Sequence, residues 1–322
     1  MQQELRIATF NVLNLAPPGM TFYAEIPPYT PEQYDRKTTW LAQMLDRIDA
    51  DVIGFQEIFA QTCLRDVLQK TGKYRNARQL GIDPDPALPL SPSVALVTRL
   101  PVVGDAIFHS ALPARLLADL PASSDILTRF TRPVLQAGVM LADGLTAQVF
   151  VTHMKSKRPD WRDDDDRNDP YLFGLATLRS LNRRGIEALG LRCLVNDVMA
   201  DGDGPVIVMG DFNDVIDAVT SEIVCGDRGA GEEDRHTLYD CQAIQSSRSR
   251  LHDLRYTHAN DGKFDTIDHV LVSRHFIGGG DGAIGEVREV TYLNDHVGWV
   301  EDEASDHGVV VVRIGVDDSQ KI

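Results

Sequence analysis

Positive charge is scarce in this chain of 322 residues: 32 lysines and arginines face 48 aspartates and glutamates, a formal net charge of −16. Surfaces that grip nucleic acid through its backbone are usually basic. The balance therefore argues against tight, non-specific binding of polyanions by the surface at large. A local basic groove or bound cations can still reverse the sign where it matters. Cysteine is sparse too. Cys63, Cys193, Cys225 and Cys241 form no CxxC or other metal-like spacing, which leaves no zinc framework to read. Reduced thiols are the expected state. No run approaches the roughly 18 apolar residues of a membrane span. The start, MQQELRIATF, lacks an apolar stretch of signal-peptide length behind a basic cap. The expectation is a cytoplasmic protein, or a secreted one if a signal sequence has been removed. Repeats, long linkers and an aromatic-rich basic patch for stacking single strands are also missing.

What remains is an ordinary globular composition, 43% hydrophobic and 25% charged. Such a chain can bury a large core, and it reads as one domain over residues 1–322 with long loop insertions. Short apolar, β-branched runs recur at residues 5–10, 51–55, 93–97, 133–141, 146–152, 205–209, 266–272 and 308–314. Several are nearly continuous in Val, Ile and Leu, as strands buried on both faces are. Between them lie helical patterns. Trp40, Leu41, Met44, Leu45 and Ile48 make one apolar stripe in residues 34–48. Residues 175–199 read as one long helix or two, weakened at Gly185 and Gly190. Leu178, Leu181, Ile186, Leu189, Leu194 and Val198 are its expected buried side, and the DGDGP stretch at 201–205 ends it. Strands mixed with helices predict a layered α/β domain. Residues 16–31, 76–92, 158–174, 226–250 and 278–303 read as irregular.

Polar residues punctuate the ends of the apolar runs at six places. Asn11 ends RIATFN, Glu57 ends DVIGFQE and His153 ends AQVFVTH. Asp211 and Asn213 follow PVIVMG, Asp268 sits in FDTIDHVLVS, and Asp306 and His307 open SDHGVVVV. One such residue alone is most often a turn former or a helix cap. Six together predict a shared rim, because a layered fold brings strand ends to one edge. Carboxylates gathered there repel unless a cation sits among them. Oxygen ligands without cysteine select Mg²⁺ or Mn²⁺, or Ca²⁺, over zinc.

Taken together, TFNVLNL, VIGFQEI, THMKSK, VMGDFND, TIDHVLVS and SDHGVVVV resemble the endonuclease/exonuclease/phosphatase (DNase I-like) superfamily, in the expected order over nearly the whole chain. NVLN and HMKSK look closest to its bacterial extracellular-type nucleases. The resemblance implies a four-layer α/β sandwich, two mixed sheets packed face to face with helices outside, and a site at one edge. By position it implies a metal-ligand role for Glu57, with Asn11 and Asp306 beside the metal. Asp211 matches the aspartate that positions or deprotonates the attacking water, and Asn213 its phosphate-contacting neighbour. His307 matches the catalytic histidine, Asp268 its orienting carboxylate, and His153 a donor to phosphate. Arg132 resembles a phosphate-reaching arginine, and Lys155 and Lys157 could contact a nucleic-acid backbone. Asn14 is expected to support the loop after Asn11, and His269 to be a packed neighbour of Asp268.

The function expected from these residues is metal-dependent hydrolysis of a phosphodiester, with nuclease action on DNA or RNA ahead of a small-molecule phosphatase or phosphodiesterase for a sugar, inositol or lipid-headgroup phosphoester. The insertion WRDDDDRND at residues 161–169 has no counterpart in the resemblance. It reads as a solvated loop, or as a gate that repels long polyanions.

Overall fold

Alternation inside the apolar runs explains the layers. In the first strand Ile7 turns to one side and Ala8 and Phe10 to the other, and all three are fully buried. A strand with apolar neighbours on both faces belongs in the middle of a stack. In the computed structural model, residues 2–83, 90–120, 127–202, 204–226, 235–247, 254–280, 282–298 and 303–317 are described. In chain order the elements are β1 (Gln2–Leu15), α1 (Pro31–Ile48), β2 (Val52–Ile58), α2 (Gln61–Lys70), β3 (Arg78–Gly81), β4 (Ser93–Thr98), β5 (Val102–Ala111), α3 (Ala114–Asp119), β6 (Arg129–Ala142), β7 (Leu145–His153), α4 (Pro170–Asp201), β8 (Val206–Asp211), α5 (Val219–Cys225), β9 (Leu238–Asp240), α6 (Cys241–Ile244), β10 (His258–Asn260), β11 (Lys263–Asp265), β12 (Asp268–Ser273), β13 (Gly285–Leu293) and β14 (Val309–Asp317).

Two six-stranded sheets result, ordered β13-β14-β1-β2-β4-β3 and β5-β6-β7-β8-β12-β9, with β10 and β11 as a separate hairpin. β1 runs parallel to β2 and β7 parallel to β8, and the other pairs in these sheets are antiparallel. Ile7, Val52 and Leu96 of the first sheet pack against Val149, Val151, Ile207 and Met209 of the second. Phe10, Ile53 and Phe55 turn outward under α1 and α2. Phe150, Val208 and Phe212 turn outward under α4 and α5. This is the α/β sandwich expected: two mixed sheets face to face with helices outside. β1 and β8 are central strands of their sheets, so their ends meet across the interface. Among the described residues no helix is long and apolar enough to cross a membrane.

The helix ends follow from local chemistry. Thr30 and Gln33 form a reciprocal capping box ahead of α1, with Pro31 in the first turn. Asp169 caps α4 by accepting from the Tyr171 and Leu172 amides. α4 is one unbroken helix, 32 residues long, and Gly202 follows it. Asp203 lies outside the described residues. The buried face of α4 differs in part from the expected one: Ile186, Leu194 and Val198 pack half-buried against the core, but Leu178, Leu181 and Leu189 are exposed, while Ser180, Arg184, Glu187, Ala188, Leu191 and Val195 face inward. The inward polar groups have partners in the loops beneath, described below, and that requirement outweighs leucine content. Gly190 is there for packing, since a Cβ would lie 2.7 Å from Leu112 and 2.9 Å from Phe130.

Segments expected to be irregular contain regular structure: β3 within 76–92, the start of α4 within 158–174, β9 and α6 within 226–250, and β13 within 278–303. β13 is an edge strand with a register shift between Val287 and Glu289, and the polar residues of its half-exposed side hide the alternation.

Candidate active site

Strand pairing lines up the first half of the site. Asp211, the last residue of β8, stands opposite His153 of β7 on one side and Asp268 of β12 on the other. Gly210 makes this possible. Its φ is +151°, and a Cβ would lie 2.0 Å from the backbone oxygen of Thr152. The Asp211 carboxylate is buried. Its Oδ1 accepts from the Asn213 amide at 2.8 Å. Asn213 has a left-handed backbone, φ +54°, and its side-chain amide donates to the Met154 carbonyl at 3.0 Å. Oδ2 of Asp211 faces three groups: Asn11 Nδ2 at 3.0 Å, His153 Nε2 at 3.3 Å and His307 Nε2 at 3.9 Å.

His307 arrives from the segment before β14. Its Nδ1 lies 2.8 Å from Asp268 Oδ2. Ser305 fixes the approach: its hydroxyl donates to the Asn11 carbonyl at 2.6 Å and accepts from the His307 amide at 3.0 Å. Thr257 steadies the other partner, its hydroxyl accepting from the Asp268 amide at 3.2 Å. The His258 ring packs 5.1 Å from the His307 ring.

The second half belongs to the first sheet, and it is built from unusual backbone. Leu13, Asn14 and Glu57 have φ of +52°, +54° and +65°, a region that non-glycine residues seldom occupy. The Glu57 carboxylate accepts from Asn11 Nδ2 at 3.3 Å and from the Asn14 amide at 2.8 Å. Asn11 also takes the Leu13 amide on its Oδ1 at 3.1 Å. In this arrangement Asn11 brackets Glu57 and Asp211 through its NH₂ group, and its Oδ1 keeps a second lone pair beside the Leu13 amide. Asp306 is exposed beside His307, with Oδ1 3.9 Å from Nε2.

Burial and charge push the titrating groups apart. Burial first, then the charge of Asp268, raises Asp211 to about 7. Burial opposes charge on His307, but Asp268 and Asp211 together outweigh it and hold the ring cationic well above the ordinary histidine range. His153 moves the other way: burial, Arg132 and His307 hold it neutral. Two histidines at one carboxylate, one cationic and one neutral, form an acid–base pair divided by environment.

The donor set near Glu57 suits a hard divalent cation. Glu57 and Asp306 supply carboxylate oxygens, and both act on one buried ammonium, that of Lys37. Ligand atoms of Asp211, Asp268 and His307, and those of His258, Asp306 and His307, also lie within 4.8 Å of one another. We read the first of these trios as an acid–base chain, because the short Asp268–His307 contact already engages the ring nitrogen.

The remaining expectations divide. Arg132 reaches the site: its Nη1 donates to Met154 O at 3.2 Å and its charge acts on His153. Lys155 turns to the carbonyls of Ser156 and Arg158, and Lys157 to Asp214 at 2.9 Å. Asn14 does support the loop, through its amide. His269 packs against Phe212 and bonds the Asp214 carbonyl at 2.9 Å. No disulfide joins any two of the four cysteines. The acidic insertion is largely committed to its own shape. Asp165 accepts from Arg179 at 2.6 Å and from the Arg162 amide at 2.9 Å, Asp166 from the Asn168 amide, and Asp169 caps α4.

Three positions were missed. Lys37 is 1% exposed on α1 and its Nζ has no hydrogen-bond partner. It stands one helical repeat before Leu41, so the apolar stripe extended backwards lands on it. Glu187 is buried on α4 and holds the Thr131 and Lys155 amides, both at 2.7 Å. Tyr23 lies within the field of Glu57 and in hydrogen-bonding reach of Arg132. For Glu187 and Tyr23 no sequence signal separates them from surface residues.

By sequence no curated protein matches the chain. Among solved structures it is similar to an endonuclease/exonuclease/phosphatase family protein from Bacteroides thetaiotaomicron (19% identity, TM-score 0.61, covering 98% of this chain and 96% of that one). It is similar too to the mannosyl-6-phosphatase of that organism (18%, 0.58, 96% and 99%). A third similar structure is truncated Caenorhabditis elegans TDP2 (12%, 0.58, 97% and 97%). These likenesses show the fold. The model of the Endonuclease/Exonuclease/phosphatase family matches residues 8–307, and the chain belongs to that family.

Proposed function

We propose that this chain is a hydrolase of phosphodiesters that works with Mg²⁺ or Mn²⁺, and that its substrate is nucleic acid, DNA or RNA. One observation carries the reading: Asn11 of β1, His153 of β7 and His307 from the segment before β14 converge on a single oxygen of buried Asp211. Hydrolysis of a phosphodiester requires a base to align and deprotonate water, and cationic or N–H donors for the crowded phosphate. Asp211 Oδ2 is the base. Asn213 and Asn11 hold it in one orientation. His307 carries the positive charge; Asp268 on Nδ1 leaves Nε2–H pointing toward Asp211 and any phosphate placed there. Neutral His153 donates from Nε2 without adding charge. Glu57 and Asp306 would hold the cation, which when bound offsets charge on a non-bridging oxygen. Both sheets contribute to this centre, in keeping with one catalytic domain over residues 1–322.

Nucleic acid is favoured as substrate because Arg132 stands beside the centre and an arginine-lined cleft is walled by α4, the helix that also holds the Lys155 segment after His153. The acidic balance of −16 favours the second reading, hydrolysis of a small sugar, inositol or lipid-headgroup phosphoester. Incubation with plasmid DNA and with bis-p-nitrophenyl phosphate, in Mg²⁺, Mn²⁺ or EDTA, separates the two. Metal-dependent nicking that Asp211→Ala abolishes is the expected result. Cleavage of the small diester with intact DNA would select the second reading. Turnover in the Asp211→Ala protein would sink both.

A further inference from the structure

A cleft of about 770 Å³ opens between the start of β6, the insertion and α4. That volume lies in the range of ligand-sized sites, ~300–1,000 Å³. Arg129, Arg162, Arg179 and Arg183 line it with Trp161, and Asp160 is the one acid among the described lining residues. Its described residues thus carry a surplus of three positive charges, or two when Asp165, which pairs with Arg179, is counted. In a chain of net charge −16 such a concentration runs against the average.

The cleft is tied to the catalytic centre along the chain. Arg129 and Arg132 are three residues apart on β6, ~10 Å at ~3.3 Å per residue. Lys155, two residues after His153, lies in the fields of Asp160, Arg132 and Arg183 together. Arg184, next to Arg183, donates to the Lys155 carbonyl at 3.2 Å, and Ser180 donates to the Ser156 carbonyl at 2.6 Å. The loop that leaves the centre is therefore clamped to the helix that walls the cleft.

Trp161 is half-buried, tilted against Phe173 with ring centroids 6.2 Å apart. The Asp165 contacts with Arg179 and the Arg162 amide fix the turn that carries it. Guanidinium forks match phosphate oxygens bidentately, and an indole face stacks a base of any identity. We propose that this cleft is a second substrate subsite, holding one nucleotide of a single strand whose scissile phosphate lies at Asp211, with the phosphate on the arginines and the base on Trp161. The proposal deepens the nuclease reading and rests on it. The insertion is then a binding element, in place of the gate that its acidic sequence suggests.

The test measures two quantities in Trp161→Ala and Arg129→Gln; both positions lie outside the catalytic centre, and Arg129 is exposed. The first is the Kd of a short fluorescent oligodeoxythymidylate by anisotropy in EDTA, where nothing is cleaved. The second is turnover of bis-p-nitrophenyl phosphate with Mg²⁺. The expected result is a Kd raised ~10-fold by Trp161→Ala, and a shallower salt dependence, by ~0.7 in slope, for Arg129→Gln. Small-diester turnover should stay at wild-type level in both. An unchanged Kd in both variants overturns the proposal. So does a parallel fall in small-diester turnover, which would mark the residues as structural. An effect of Arg129→Gln with none of Trp161→Ala overturns the base-stacking role. Weakened binding in the variants of a protein that cleaves no DNA would sink the nuclease reading and leave a nucleotide-binding cleft standing.

Discussion

The two halves of the catalytic centre are held by different means. In the second sheet, His153, Asp211 and Asp268 occupy adjacent positions in the strand register, and ladder hydrogen bonds fix their spacing. In the first sheet, Glu57, Leu13 and Asn14 sit in left-handed backbone, which costs ~1–3 kcal/mol per residue unless the surroundings enforce it. Their order depends on the Asn11 and Asn14 hydrogen bonds to one carboxylate. The register-built half also carries its own countercharge, with Asp268 against His307. The loop-built half lacks one that suffices, since the buried ammonium of Lys37 has no hydrogen-bond partner. The acid–base half should therefore be preformed, and the half around Glu57 should be completed by the cation.

The largest effect should come from the acid–base half. His307→Gln is expected to lower kcat by ~10²–10⁴-fold while the Mg²⁺ concentration for half-maximal activity stays as in the wild type. Asn11→Ala strikes the other half. It frees Glu57 from its bracket and should raise that Mg²⁺ concentration by ~10–100-fold, with kcat at saturating metal falling less than in His307→Gln. Metal titrations of both variants check the pair. A His307 variant that shifts metal dependence as strongly as the Asn11 variant would erase the distinction between the halves.

That distinction also explains how much could be read from the sequence. Register-built positions sit at the ends of apolar runs: His153 and Asp211 close the runs through Val151 and Met209, with Thr152 and Gly210 between, and Asp268 opens the run at residues 269–272. Two-sided burial made those runs apolar, and the strand ends had to converge once the sheets stacked. Glu57 and Asn11 were visible for the same reason, but their bracketing was not, because left-handed backbone leaves no mark at a non-glycine residue. α4 misled because its inward face is set partly by Arg184 and Glu187, which hold loops, while Leu178, Leu181 and Leu189 face out. β13 was invisible because an edge strand buries one side and this one shifts register midway. Lys37 sits where the apolar stripe of α1 would place a leucine, and a lysine there ordinarily reads as solvent-facing.

The pH profile sharpens the comparison more gently. Asp211 must be ionised to act as base, and His307 must be protonated to act as donor. Activity should rise with pH as Asp211, raised to about 7, loses its proton, and fall as His307, raised well above its ordinary value, loses its own. Asp268 raises both groups, so Asp268→Asn should lower both and move the whole bell toward acid. The measured signature is a greater loss of kcat/KM on the alkaline side than on the acid side. A bell that keeps its position while only its height drops would assign Asp268 to orienting the ring alone.

The smallest effect should come from Lys37. Burial depresses this ammonium to about 8 from 10.5, against the opposing pull of Glu57, Asp306 and Glu303, so desolvation outweighs attraction. A lysine with a lowered native pKa binds fewer protons folded than unfolded between those two values. Its destabilisation is thus fully present below pH about 8 and fades as pH rises toward 10.5. Lys37→Met keeps the length of the side chain and removes the charge. The variant should melt above the wild type in neutral buffer, with the gap closing as pH rises through that window. It should also bind Mg²⁺ a few-fold more tightly, because a positive charge has left the neighbourhood of Glu57 and Asp306. Melting curves across pH and a Mg²⁺ titration read both effects. A variant that melts lower and needs more metal would reverse the assignment, making Lys37 the internal counterion that holds the Glu57 half together before the cation arrives.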